Sequence, residues 1–133
     1  MLRMKCLNRI SFLLAVGLAA LGLTGCAPTL TNLTPTSHVR NASGIYNFEV
    51  MWSTRDATIR KDSLKPFVVV GTEKYPMRPS PMLPNRWEAA VPLPADKEFI
   101  NYRYKFDFQQ NSIGPAQGNS RLSAPYQMRV TDK

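Results

Sequence analysis

The chain has few of the side chains that carry catalysis or bind metals. Its 133 residues include one histidine, His38, two cysteines, Cys6 and Cys26, and nine acidic residues. A structural or catalytic zinc site draws three or four ligands mainly from histidine and cysteine, and a serine nucleophile needs a base within hydrogen-bond reach. The sequence offers neither constellation, and it has no glycine-rich phosphate loop. We therefore expect no enzymatic activity, no metal and no cofactor.

Clustered positive charge is also missing, although the net charge is +8. The only adjacent basic pair is Arg60-Lys61, whereas nucleic-acid binders usually carry a basic stripe on one face. We expect no nucleic-acid partner. Scattered charge is typical of an ordinary solvated surface, and a modest affinity for acidic glycans or lipid head groups is the alternative.

The N-terminus has the layout of a secretory signal. Arg3, Lys5 and Arg9 precede an uncharged stretch, 10–25, that is rich in Leu and Ala. A basic head followed by a short apolar run is typical of a signal peptide, and the run is shorter than the about 20 apolar residues that span a bilayer. We predict that residues 1–25 are a signal peptide; a short uncleaved anchor helix is the alternative.

This segment ends in Leu23-Thr24-Gly25-Cys26, which resembles the lipobox of bacterial lipoproteins. The resemblance implies cleavage before Cys26 and attachment of acyl chains such as palmitate to it. Several acyl chains hold a protein on a membrane far better than one. Ala27 stands where lipoproteins retained in the inner membrane often carry Asp. The resemblance therefore implies a protein anchored in the outer membrane and facing the periplasm.

A mature chain that begins at Cys26 would be one domain of about 100 residues, which is long enough to bury a hydrophobic core. Three of the 17 basic residues precede Cys26, so 14 remain against nine acids. No disulfide can form, because Cys26 is then the only cysteine. The domain must therefore depend on its core for stability.

Residues 26–43 are rich in Pro, Thr, Ser and Asn and show no helical period. We predict a lipidated cysteine followed by a flexible tether, with a short strand at its end as an alternative. Such a tether would lift the domain off the membrane. His38 lies in this segment and is expected to be solvated.

Residues 44–133 contain short segments in which apolar and polar side chains alternate. Alternation with period two is typical of half-buried strands, and no amphipathic helix of ordinary length is present. Glu49, Glu88 and Asp107 fall on the outward faces, where a pair of catalytic carboxylates is difficult to maintain. The predicted strands cover 45–52, 67–70, 74–77, 87–93, 102–108 and 126–130, with 109–123 as a long hairpin or crossing loop. The pattern predicts an all-β fold, an antiparallel immunoglobulin-like β-sandwich over 44–133.

Four segments follow one another in a characteristic order: a Val-rich strand ending in Gly (68–71), Tyr75-Pro76-Met77, a strand that begins near Trp87 and ends in Leu93-Pro94, and Tyr102-Arg103-Tyr104-Lys105-Phe106. In this order they resemble the starch- and glycogen-binding modules and related early-set immunoglobulin-like domains. Those modules usually place a second Trp soon after the Val-Gly strand, and this chain has Thr72-Glu73-Lys74-Tyr75 there. The resemblance implies a carbohydrate-binding site only if Tyr75 replaces that Trp.

The proline-rich segment 75–86 is the most plausible contact surface, because aromatic, Met and Arg side chains are enriched at interfaces. A sheet edge protected by proline is the structural alternative. We therefore expect a non-enzymatic envelope lipoprotein, held on the membrane by its lipid, whose sandwich binds another envelope protein or assists envelope assembly. The alternative function is glycan recognition through Tyr75 and Trp87. The candidate binding residues are Tyr75, Met77, Arg78, Met82, Arg86 and Trp87.

Overall fold

A computed structural model describes residues 26–133 as an almost entirely β structure. The predicted signal peptide, residues 1–25, lies outside the described residues. A single 3₁₀ turn, Lys61–Ser63, interrupts the strands of the described part. The ten strands are β1 (Thr29–Asn32), β2 (Ser37–Val39), β3 (Ile45–Ser53), β4 (Lys65–Val70), β5 (Glu73–Pro76), β6 (Arg78–Pro79), β7 (Arg86–Pro92), β8 (Phe99–Ser112), β9 (Gly114–Leu122) and β10 (Tyr126–Thr131).

The strands form two sheets that pack face to face. The first sheet has the order β1-β3-β7-β6, and the second has the order β2-β10-β8-β4-β5, with β9 also paired to β8. Every strand pair is antiparallel except the short parallel pair of β2 and β10. The predicted all-β sandwich of mainly antiparallel strands is confirmed.

The core forms where β3 faces β8. On each of these strands every second side chain is buried, as the period-two pattern predicts. Trp52 stacks on Phe106 with ring centroids 4.7 Å apart, and Phe48 meets Tyr102 edge to face at 4.9 Å. Complete burial of a large apolar side chain contributes about 1.5–3 kcal/mol, so these contacts hold the two sheets together without a disulfide.

The second half of β8 extends beyond the core as a hairpin with β9. The pairing continues from Lys105↔Leu122 to Ser112↔Gly114, and all nine residues of β9 are exposed. On its other side, β8 is paired with β4 as far as Asp107. Beyond Asp107 it bonds to the segment before β4, where the Arg60 N–H donates to the Gln109 carbonyl at 2.9 Å. We call residues 109–118 the arm. Of the two predictions for 109–123, the hairpin is the one observed.

The prediction of a flexible tether over 26–43 is wrong for most of its length. β1 pairs with β3 from Thr29↔Ser53 to Asn32↔Val50, and β2 pairs with the last strand, β10. The sandwich therefore begins at Thr29 rather than at residue 44. β1 is an edge strand that packs only Leu30 against the core, so its sequence lacks a strong apolar alternation.

The expectation of a solvated His38 is also wrong. Its ring lies on β2, edge-on to Tyr46 with centroids 5.8 Å apart, and its Nε2 is buried without a hydrogen-bond partner among the described residues. It is a packing residue, and it has no acidic or nucleophilic partner at Nε2. Across residues 26–133 the structure contains no helix long and apolar enough to span a membrane.

Candidate functional site

The two aromatic candidates do not form a common platform. Tyr75 is on β5 of the second sheet and Trp87 is on β7 of the first, and both are half-buried against the core. Trp87 makes an edge contact with Phe106 at 6.1 Å, and its Nε1 is buried without a partner in the described part of the chain. Both rings therefore serve mainly as packing.

Met77 is not a contact residue, contrary to the sequence prediction. Its side chain is only 7% exposed and belongs to the core, and its backbone N–H donates to the Pro66 carbonyl at 3.0 Å. The prolines around it suggested an irregular exposed loop. The chain instead continues along the edge of the sandwich at this point, which turns Met77 inward.

The two arginine candidates are held in ion pairs on the outer face of the first sheet. The Arg78 Nε donates to Glu88 Oε1 at 3.2 Å, and Arg86 pairs with Glu49 across β3 and β7. Both carboxylates are less than one-third exposed. Exposed pairs of this kind contribute about 0–1 kcal/mol, so they chiefly fix the orientation of the arginines.

Met82 is the candidate that the structure does present to solvent. It lies in the loop 80–85, with 86% of its surface exposed, and Leu83 beside it is partly exposed. The base of the loop is closed by two backbone bonds: the Ser80 N–H donates to the Arg86 carbonyl at 2.8 Å, and the Trp52 N–H donates to Asn85 at 2.8 Å. The loop is therefore a fixed protrusion that exposes an apolar tip.

Cys26 is exposed and lies three residues before β1. With Thr54 and Arg55 it lines a shallow groove of about 370 Å³ beside the end of β3. Trp52 is near that end and bonds to Asn85 of the loop 80–85. Cys26 and the loop 80–85 consequently lie at the same end of the sandwich.

The arm projects from this end as well. Trp52 contacts both Phe106 and Phe108 across the core, and β8 runs from there into the arm and its tip at Ile113. We call the end that holds Cys26, the loop 80–85 and the arm the Cys26 end. At the opposite end the partly exposed apolar side chains are Val39, Ile45 and Phe99.

A buried polar network that the sequence did not reveal fixes the segment between β1 and β2. The Tyr104 hydroxyl lies 2.6 Å from Thr34 Oγ1, 2.8 Å from the Glu49 carbonyl oxygen and 2.9 Å from Asn32 Oδ1. The Asn32 amide also donates to the Tyr102 hydroxyl at 2.9 Å. Burial raises the pKa of Tyr104 far above its ordinary value, so the hydroxyl stays protonated as this network requires.

The acidic residues of the described part form no metal site: residues 26–133 contain no group of three or more His, Cys, Asp or Glu side chains that could hold a metal ion. Hydrogen bonds from Thr58 lower the pKa of Asp56, which also accepts from Gln110 at 2.9 Å. These bonds attach the arm to the segment beside it, which is a structural role.

Comparison with known proteins gives the chain no family. No family model matches the sequence, and no curated protein matches it. Among solved structures, that of murine CRIg is similar, with 15% sequence identity and a TM-score of 0.45, covering 80% of this chain and 99% of that chain. No function is taken from this likeness.

Proposed function

We propose that this chain is a non-enzymatic lipoprotein of the bacterial envelope, anchored by acyl chains on Cys26 and using its sandwich to bind another protein. Its location would be the periplasmic face of the outer membrane. The lipobox-like sequence before Cys26 supports the anchor, and the β-sandwich supports an interaction domain.

The position of Cys26 is the observation that carries this proposal. It is the only cysteine among residues 26–133, its thiol is free, and it is exposed just outside the folded sandwich. A peptidase and an acyltransferase need an accessible cysteine, and residues 26–133 offer Cys26 no disulfide partner and no metal site. The first strand follows immediately, so the folded domain would remain intact after cleavage before Cys26.

The opposite end of the sandwich is the favoured protein-binding surface, because an anchor at Cys26 points it away from the membrane. Val39, Ile45 and Phe99 are each about half exposed there, and the guanidinium of Arg129 lies over the Phe99 ring at 5.6 Å. Exposed apolar side chains bordered by charge are typical of interfaces. Tyr75 and Trp87 both pack on the core, so no contact of the described residues favours glycan recognition.

A Cys26→Ser variant tests the anchor. The wild-type chain from the membrane fraction should begin at Cys26 and carry acyl chains, and a Cys26→Ser chain produced without residues 1–25 should be soluble and folded, because Cys26 makes no core contact. A wild-type chain that retains residues 1–25 in the membrane would be held by an uncleaved anchor and would overturn the proposal.

Site-specific photo-crosslinking in cells tests the protein partner. A crosslinker in place of Phe99 should trap one dominant envelope protein. The matched control is Asn47, which is exposed on the outer face of the first sheet. Equal capture of many abundant proteins from both positions would contradict binding at the opposite end.

A further inference from the structure

We infer that the Cys26 end of the sandwich lies directly on the bilayer, with Met82 and Ile113 inserted at the level of the lipid head groups. This inference rests on the proposed acylation of Cys26. It assigns a second, non-covalent membrane contact to the loop 80–85 and to the tip of the arm.

The chain between the proposed lipid and the fold is short. Only Ala27 and Pro28 separate Cys26 from Thr29, so the chain takes three steps of at most about 3.6 Å each. Thr29 therefore stays within about 11 Å of Cys26. β1 is paired with β3 along its whole length, and the network at Tyr104 holds the residues that follow it. The chain between Cys26 and the sandwich is therefore too short to hold the sandwich away from a membrane in which Cys26 is anchored.

The most exposed apolar side chains lie at the Cys26 end. Among residues 26–133, the two large hydrophobic side chains with the greatest exposure are Ile113 at 109% and Met82 at 86%. Met82 lies in the connection between β6 and β7 of the first sheet, and Ile113 lies between β8 and β9 of the second. Leu83, next to Met82, is also partly exposed. Exposure of such large apolar side chains to water is unfavourable. A bilayer that covers Met82 and Ile113 would remove this exposure.

Charge at this end agrees with a lipid surface. Arg55 and Lys61 are exposed and form no ion pair with a described residue, and the chain from residue 108 to residue 120 carries no charge at all. Cations attract anionic head groups, and an uncharged arm can enter the head-group region without desolvating an ion. The acid nearest in sequence to Lys61, Asp62, is paired with Arg60 at 3.6 Å.

The opposite end has a different character. Asp96, Glu98 and Asp132 lie there among the cations Arg40, Lys97, Arg129 and Lys133, and two ion pairs join Arg40 to Asp132 and Arg129 to Glu98. Charges of both signs are mixed at this end, and among residues 26–133 no uncharged apolar tip projects from it. A folded protein partner at the loop 80–85 is disfavoured, because about 11 Å of chain leaves too little space between that end and the bilayer.

The experiment uses the full chain, produced in a bacterium that processes lipoproteins and reconstituted in vesicles of phosphatidylethanolamine and phosphatidylglycerol. Single cysteines are introduced as Met82→Cys, Ile113→Cys and, as a matched control at the opposite end, Asp96→Cys. All three positions are exposed, so folding should not change. Each is labelled with an NBD fluorophore, and lipids brominated near the head group serve as quenchers.

Quenching at positions 82 and 113 should exceed that at position 96 by about twofold or more, since insertion reaches about 5–10 Å into the interface. Equal, weak quenching at all three positions on a chain whose mass shows acyl chains would overturn the inference and leave the proposed function standing. A chain without acyl chains on Cys26 would overturn both.

Discussion

Tyr104→Phe removes a single hydroxyl from the buried network and leaves the aromatic ring in the core. The hydroxyl lies within 2.9 Å of Thr34 Oγ1, the Glu49 carbonyl and Asn32 Oδ1. It has one proton, so it can donate to one of these acceptors at a time while it accepts from Thr34. The substitution therefore removes about two hydrogen bonds from a site that water does not reach.

The expected loss of stability depends on which hydrogen bonds the former partners of the Tyr104 hydroxyl retain in the variant. A neutral buried hydrogen bond contributes about 1 kcal/mol net, and an acceptor left without a partner costs about 1–3 kcal/mol. The Glu49 carbonyl retains the Leu33 N–H at 3.0 Å, and Thr34 Oγ1 retains the Glu49 N–H at 2.8 Å. These compensating bonds place the loss near 2 kcal/mol, or about 8 °C in Tm for a domain of about 100 residues.

Urea unfolding followed by tryptophan fluorescence measures this loss on a soluble Cys26→Ser chain that begins at residue 26. The control is Tyr126→Phe, because the Tyr126 ring packs beside Tyr104 at 6.0 Å while its hydroxyl has no hydrogen bond to any described residue. We expect a change below about 0.5 kcal/mol for the control. Equal effects of the two substitutions would refute the role assigned to the network.

Since burial raises the pKa of Tyr104 above that of the unfolded state, the free energy of unfolding should fall as the pH rises above about 10, and an equally steep fall in the Tyr104→Phe variant would contradict this. Gly71→Ala should cost about 1 kcal/mol in urea unfolding, because Gly71 has a φ of +61° that disfavours a side chain, whereas Gly118→Ala in the exposed arm should cost less. Met128→Ala should lower the free energy of unfolding by about 3 kcal/mol, because Met128 is completely buried. Met82→Ala should leave the unfolding midpoint unchanged, because Met82 is 86% exposed. Similar midpoints for the two variants would contradict the burial of Met128.

The central strands could be predicted because their apolar periodicity is set by the core. Tyr46, Phe48, Val50 and Trp52 alternate with polar residues over β3, and all four are buried. The same pattern identified β8. In both strands a shift of the pairing register by one residue would expose the whole aromatic face to solvent. The alternation of apolar and polar residues therefore determines the register.

The edge strands could not be predicted in the same way. β9 buries no side chain, so its conformation depends on backbone hydrogen bonds to β8 and leaves no apolar signal in Gly114–Leu122. β1 and β2 consist mostly of polar residues for the same reason. The role of Met77 was missed because four prolines nearby indicated a loop, while its inward orientation depends on a hydrogen bond to the Pro66 carbonyl of the adjacent strand β4.

The position of the candidate site was only partly accessible from sequence. Met82 was identified by composition, but its proximity to Cys26 depends on the pairing of β1 with the end of β3. The contribution of Ile113 depends on the direction of the arm, which the crossing of Trp52 over Phe106 and Phe108 defines. Contacts between distant segments of this kind leave no local pattern in one sequence.

The proposed anchor depends on the chemical state of Cys26, which mass spectrometry of the protein from isolated membranes measures. The N-terminal peptide should begin at Cys26 and carry the added mass of two or three acyl chains. A peptide that retains residues before Cys26, or one with a free Cys26 thiol, would contradict the lipid anchor.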